Sequence, residues 1–423
     1  MNNKKQPTLF MSGTAVETRM TRIAALLLGC TVALSALSVH AEVNLKPRIG
    51  VLTDMSGTYS DIAGKGSVIA AQMAVEDFAN QHPEVKADVV SADHMNKTDV
   101  GLTIARSWID NDHVDVIAEL TSSSVALATQ RLVTEKNKLM LITGAGSSDM
   151  TGKGCTPNSI SWVYDTYAMA NGTGRALVRE GGKNWFMITV DYAFGEALER
   201  DAVKSVIAEG GTIIGSARHP LSSSDLSSQI FAAISSKAQI IGLAHAGGDL
   251  ITAIKQAKEF NVAKGSQNLA ALLIYISDVH AIGLEAAQGL YLTTAFYWDR
   301  NEESREWSKR YFERAKNMPT MAQAGVYSSV MHYLKAVQET KTTDTATVRK
   351  KMGETPVNDM FTTDGVIRAD GRMMNDLYLA QVKTPAESKY PWDYYKIVGT
   401  IAGKDAFRSV ADSECALLRK DGV

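Results

Sequence analysis

The chain has 423 residues, 45% hydrophobic, 21% charged and 7% aromatic, with a formal net charge of −2. This is the composition of a folded globular protein long enough for about two or three cores, and it excludes a disordered or fibrous chain. The near-neutral balance leaves no basic footprint for nucleic acid.

The first 41 residues differ from the rest. Arg19 and Arg22 precede an apolar run from Ile23 to Leu37, and the segment closes on Val39-His40-Ala41, with small residues where a signal peptidase needs them. Residues 1–41 are therefore expected to be a cleaved secretory signal peptide. The run is about 15 residues, too short for a membrane span of roughly 20, so the mature protein is expected to be soluble and exported. A competing reading is Leu27-Leu28-Gly29-Cys30, which has the shape of a lipobox and would leave a lipidated Cys30 at the mature N-terminus.

Cleavage after Ala41 removes Lys4, Lys5, Arg19, Arg22 and Glu17, leaving 40 basic against 45 acidic residues and a charge of −5. It also leaves Cys155 and Cys415 as an even pair in a compartment where disulfides persist, and a bond between them is expected. Two buried free thiols are the alternative.

Beyond the signal, short apolar runs alternate with segments of helical period. Strands are predicted at residues 48–52, 114–120, 139–143, 185–190, 212–217, 239–244, 271–276 and 290–294. Helical spacing connects Val68, Ala71, Val75 and Phe78, then Val125, Ala128 and Leu132, then Leu198, Ala202 and Val206. The alternation predicts parallel α/β sheets, and runs such as Gln239 to Ala244 suit strands covered on both faces. Gly181-Gly182 and Gly210-Gly211 each end a helical segment just before a strand, where positive φ is commonly needed. Past Phe361, Thr363-Asp364-Gly365 and Asp370-Gly371 signal turns between short extended segments. Residues 378–382 read as a strand, and Pro391 to Tyr395 adds an aromatic cluster.

No motif for bond-making chemistry is present. Gly57 to Gly64-Lys65 and Gly146 to Gly152-Lys153 have six and five residues between the glycines, against four in a phosphate loop, and both lysines precede glycine. There is no Gly-x-Ser-x-Gly elbow, and the eight histidines include no His-Glu-x-x-His pair. Catalytic residues, metal ligands and cofactors are therefore not expected.

Polar loops follow five predicted strands, at the carboxyl ends where open α/β sheets form ligand crevices. They are Thr121 to Ser124, Gly144 to Ser148, Asp191 to Gly195, His245 to Asp249 and Tyr275 to Asp278. The first also opens a helix, so hydroxyls and free amides would converge on an anion. Its plainer reading is a serine N-cap.

The run Ile49-Gly50-Val51-Leu52-Thr53-Asp54-Met55-Ser56-Gly57-Thr58-Tyr59, followed by Gly64, Gly66 and Ala74-Val75-Glu76, resembles the start of type I periplasmic substrate-binding proteins of ABC transporters, in the leucine/isoleucine/valine-binding branch. The resemblance extends over essentially the whole mature chain. It implies a fold of two doubly wound parallel-sheet α/β lobes joined by three crossovers and closing on a small ligand, with lobe one at 46–165 plus 294–355 and lobe two at 166–293 plus 356–423. By position it implies that Ser122 and Ser123 hold a ligand carboxylate and that Ala145 and Ser147 contact the ligand backbone. Phe194 falls where the branched-chain binders have a tyrosine, and His245 lies in the matching second-lobe loop. Asp278 stands where an acid meets the α-ammonium, and Tyr59 and Ile62 line the side-chain pocket. Departures are Phe194 itself, which donates no hydrogen bond, Thr58 in place of the usual proline, and the aromatic Tyr297-Trp298-Asp299.

The resemblance implies a periplasmic, monomeric binding protein that captures an amino acid or an aromatic or hydroxy acid for an inner-membrane permease, without catalysis. A sensory module of the same fold is the alternative. Against it stands a chain that ends at Val423 with no membrane helix or output domain. An exported α/β enzyme is the weakest reading, because no nucleophile, base pair or metal set is visible.

Overall fold

Apolar runs that can be covered on both faces become the central strands, as the computed structural model shows for residues 45–262 and 266–419. The expected signal peptide, with Cys30, lies outside the described residues. The first part of the chain forms β1 (Arg48–Thr53), α1 (Gly64–Gln81), β2 (Asp88–Asp93), α2 (Thr98–Asp110), β3 (Val116–Glu119), α3 (Ser123–Glu135), β4 (Leu139–Ile142) and β5 (Ser159–Ser161). These strands make one parallel sheet in the order β2-β1-β3-β4-β5. Strands β3 and β4 are buried at every residue, as interior strands of a parallel sheet must be.

A second parallel sheet repeats the plan. It is built from α4 (Thr166–Met169), α5 (Arg175–Arg179), β6 (Asn184–Val190), α6 (Ala193–Ala208), β7 (Thr212–His219), α7 (Ser227–Ser236), β8 (Ile240–Ala244), α8 (Gly248–Glu259) and β9 (Asn268–Ala271). Its order is β7-β6-β8-β9. The strand order of each sheet therefore reverses once, between β1 and β3 in the first and between β6 and β8 in the second. Ligand crevices of open α/β sheets form at such points, outside the carboxyl ends of the strands.

After α9 (Ile276–Ile282), α10 (Leu284–Ala287) and β10 (Tyr291–Thr294) come α11 (Glu302–Ala315), α12 (Met321–Thr340) and α13 (Thr345–Glu354). Here the chain returns to the first sheet, where α12, buried on nearly every face, packs on α1. It then forms the antiparallel pair β11 (Val366–Ile367) and β12 (Met373–Met374). Next come β13 (Leu377–Val382) and β14 (Tyr395–Ile401), which extend an antiparallel sheet from β10. Cys155 and Cys415 are disulfide-bonded, as expected, with Cα atoms 5.6 Å apart. Among the described residues no helix is long and apolar enough to cross a membrane.

Most predicted elements fall in place, and Gly181 and Gly210 do take positive φ, at 103° and 78°. One strand does not. The run predicted at 271–276 is a strand only at Asn268–Ala271, and Ile276 opens α9. The partner strand β8 ends at Ala244, so Leu272 to Tyr275 have no ladder to join and pass as a buried loop. Strands β2, β5 and β14 carry no apolar run: β2 is an edge strand with half-exposed residues, β5 has three residues, and β14 is largely exposed.

Candidate functional site

The loops that leave both switch points meet around one small cavity. From the first sheet come Tyr59 and Ile62 after β1, Thr121 after β3, Gly144 after β4 and Tyr164 after β5. From the second come Tyr192 and Phe194 after β6, Ala246 after β8, and Leu273 and Tyr275 after β9. No lining residue carries a charge.

Four phenols are paired across this space. The hydroxyls of Tyr59 and Tyr192 share a hydrogen bond. The Tyr275 hydroxyl donates to the Tyr164 hydroxyl at 2.6 Å, which donates to the Gly144 carbonyl at 2.6 Å. Burial raises the pKa of all four, so they act as neutral phenols. The backbone closes the same gap, with Gly248 N–H donating to Thr58 O at 3.0 Å. Gly247 has φ +60° and sits where a Cβ would come within 2.5 Å of the Thr58 carbonyl, so glycine is needed for this approach. Tyr164 is held from behind by buried Arg372, which donates to its carbonyl at 2.8 Å and lies 3.7 Å from Asp165.

Beside the cavity, α3 presents its N-terminus. Ser122 is the N-cap residue by backbone geometry, yet its side chain makes no capping bond, so the plain serine-cap reading does not describe it. Ser123 Oγ accepts the Ser147 N–H at 3.2 Å, tying the loop after β4 to this helix start. Ala145 and Ser147 are buried in the same loop.

Across the cleft, His219 at the end of β7 and His245 after β8 meet over the end of β6, with His219 Nε2 and His245 Nδ1 2.8 Å apart. His219 Nδ1 donates to the Pro220 carbonyl at 2.9 Å, because a carbonyl can only accept. Burial lowers the pKa of both rings, keeping them neutral. His219 Nε2 must then accept from His245 Nδ1, leaving His245 Nε2 as a buried acceptor without a protein partner among the described residues.

Asp278 sits at the third position of α9. Its Oδ2 accepts the Tyr275 N–H at 2.9 Å, which caps the helix, while Oδ1 has no partner among the described residues. Burial pushes its pKa up to about 7.

Of the residues singled out from the sequence, Tyr59, Ile62 and Phe194 line the cavity. Ser122, Ser123, Ala145, Ser147, His245 and Asp278 flank it, each within three residues of a lining position. Phe194 contributes a ring, and the hydroxyl it lacks is supplied two residues earlier by Tyr192. Tyr164 and Leu273 were not anticipated, Tyr164 because it follows the three-residue β5 and Leu273 because it was placed within a strand. A wider open groove, lined by Gly182, Gln239 and Asn268, lies at the amino ends of the second sheet's strands, the wrong end for an α/β ligand crevice.

The chain matches the family model described as periplasmic binding protein over residues 46–389. It is similar to a periplasmic binding protein from Burkholderia mallei, with 48% identity, a TM-score of 0.86, and coverage of 88% of this chain and 99% of that one. It is also similar to a branched chain amino acid ABC transporter periplasmic ligand-binding protein from Burkholderia xenovorans, with 37% identity, a TM-score of 0.78, and coverage of 88% and 100%. At 18% identity, a solute binding protein from R. palustris in complex with 4-hydroxybenzoate shares the fold, with a TM-score of 0.76 over 84% of this chain and 97% of that one. A search of curated protein sequences finds no match. The chain belongs to the periplasmic binding protein family, with two parallel-sheet lobes of the type I fold, and its members work outside the cytoplasm as the ligand-binding components of ABC transporters.

Proposed function

We propose that this protein captures a small carboxylate-bearing solute, an amino acid or an aromatic or hydroxy acid, and hands it unchanged to an inner-membrane ABC permease, acting as a periplasmic monomer. The observation that carries the reading is the convergence of loops from both switch points on one small cavity beside the N-terminus of α3. Lobe one is proposed as residues 46–165 plus 294–355 and lobe two as 166–293 plus 356–423, hinged at the three crossovers. The ligand carboxylate rests on the amides and hydroxyls of Ser122, Ser123 and Ser147, where charge-assisted bonds are strong. Ala145 contacts the ligand backbone, and Tyr59, Ile62 and Phe194 enclose its side chain. His245 Nε2 accepts from a ligand N–H or O–H, and Asp278 Oδ1 faces an α-ammonium group.

A thermal-shift panel of amino acids, aromatic acids and hydroxy acids tests this. A ligand at 100 times its dissociation constant stabilises the fold by about 2.7 kcal/mol. Ser122→Ala is expected to weaken the best ligand by about 1–3 kcal/mol, and unchanged affinity by calorimetry would remove the carboxylate assignment. Tyr192→Phe deletes the hydroxyl that meets Tyr59 across the cleft and is expected to cost the closed form about 1 kcal/mol. Small-angle scattering of the ligand-free variant should then show a larger radius of gyration than the parent, and equal radii would assign closure to the other contacts.

A further inference from the structure

Strand β3 ends on a charged residue in an otherwise apolar run, and Glu119 is fully buried. Its backbone has φ +85° and that of Leu120 +58°, a left-handed conformation that non-glycine residues seldom adopt and that persists mainly where the surroundings enforce it. Oε2 accepts the Thr121 hydroxyl at 2.7 Å, while Oε1 has no partner among the described residues. Thr53 stands beside the carboxyl, and two further neighbours belong to the cavity wall. Thr121 lines the cavity, and so does Gly144, where a Cβ would collide with Oε1.

Among the described residues no cation offsets this carboxyl. The ionisable groups that bear on it are Asp54, which repels it, and the phenols Tyr164 and Tyr275, which feel its charge from the cavity wall. A buried carboxylate without a counter-charge is costly, and natural proteins pair such groups or bind cations with them. Oε1 has no partner at this place among the described residues, and Glu119 lies one layer behind the cavity, against its wall residues Thr121 and Gly144.

We propose that Glu119 is a specificity-determining acid, additional to Asp278, whose charge one layer behind the wall formed by Thr121 and Gly144 favours a protonated nitrogen of the bound solute, so that the cleft selects ammonium-bearing acids over their deaminated counterparts. This rests on the reading that the cleft holds a carboxylate-bearing solute. The aromatic rings around the cavity add to the attraction for a cation.

The test is a binding panel of matched pairs by thermal shift and calorimetry: leucine with 4-methylpentanoate, phenylalanine with 3-phenylpropionate, lysine with 6-aminohexanoate and hexanoate, and the corresponding free amines without carboxylates. The parent protein should bind the aminated acids about 10–100-fold more tightly than the deaminated ones, the range expected for opposite charges one residue layer apart inside a protein. Glu119→Gln should remove most of that preference while leaving the deaminated acids unaffected, and Asp278→Asn should leave the Glu119 share in place. Equal or tighter binding of deaminated acids by the parent protein overturns the proposal without needing any variant to fold, and leaves the carboxylate reading standing. Preference retained by Glu119→Gln and lost by Asp278→Asn also overturns it, assigning selection to Asp278 alone. Binding of the free amines with none of the acids would remove the carboxylate reading and keep Glu119. Binding of nothing in the panel would overturn both.

Discussion

Replacing Cys155 and Cys415 with serine should lower the stability of the protein by about 2–5 kcal/mol, the usual cost of removing a native disulfide from a secreted protein. The bridge spans 260 residues of sequence, and chain entropy alone puts the effect for such a loop near about 5–6 kcal/mol, a ceiling that residual structure in the unfolded chain reduces. The folded-state contacts make the loss local as well as global. The C-terminal segment beyond α14 (Gly403–Ala406) is drawn onto the body by the bridge, and Arg408 there reaches Asp201 on α6 at 3.2 Å while its carbonyl accepts from Arg368 at 2.8 Å. Asp201 is itself buried and accepts the Ser148 and Thr166 hydroxyls at 2.7 Å each, so the tail completes a polar knot joining segments from both sheets. Guanidinium unfolding of the double serine variant checks the magnitude. Equal midpoints for the variant and the oxidised parent would show that the knot holds the tail without the bond.

How much of this could be read from the sequence depended on where each residue's partners lie. Strands β1, β3, β4, β6 and β8 are interior strands of parallel sheets, so they are built around apolar runs and the runs announce themselves. Strand β2 is an edge, and Asp88 and Ser91 in it face solvent, so no run marks it. The loops after the strands were visible because small and polar residues cluster there, and the resemblance placed Tyr59, Ile62 and Phe194 in the cavity wall. The phenol pairs were not visible. Tyr59 meets Tyr192 across 133 positions and Tyr164 meets Tyr275 across 111, and local spacing holds no trace of such a meeting. Glu119 did leave a signal, as one of two acids in the run 114–120, beside Asp115, and full burial with no cation among the described residues gives that oddity its meaning.

The neutral isosteres Glu119→Gln and Asp278→Asn should each gain about 3 kcal/mol in stability relative to the parent as pH rises from 5 to 8. Burial, the larger influence on both, pushes the Glu119 carboxyl from an ordinary 4.5 up to about 7 and the Asp278 carboxyl from 3.8 up to about 7. A carboxyl with a raised folded-state pKa holds its proton more tightly in the folded chain than in the unfolded one. Between the two values the folded state therefore binds more protons, and stability falls as pH climbs, with the loss complete above about 7. An amide has no proton to lose, so each variant escapes its share of that fall. Other buried groups also move with pH: His94, lowered to about 4, and His219 and His245, also lowered by burial, make the fold less stable below their ordinary 6.5. These contributions are common to parent and variant and cancel in the difference, which isolates one carboxyl at a time. Both amides keep an oxygen to accept the existing bonds, from the Thr121 hydroxyl in one case and the Tyr275 N–H in the other, so the comparison at pH 5 sets the cost of the substitution itself. Chemical denaturation of each pair at pH 5, 6, 7 and 8 reads the trend directly. A difference that stays level across the series would mean that the carboxyl is as readily ionised in the fold as in water, and that a positive group of the protein compensates it.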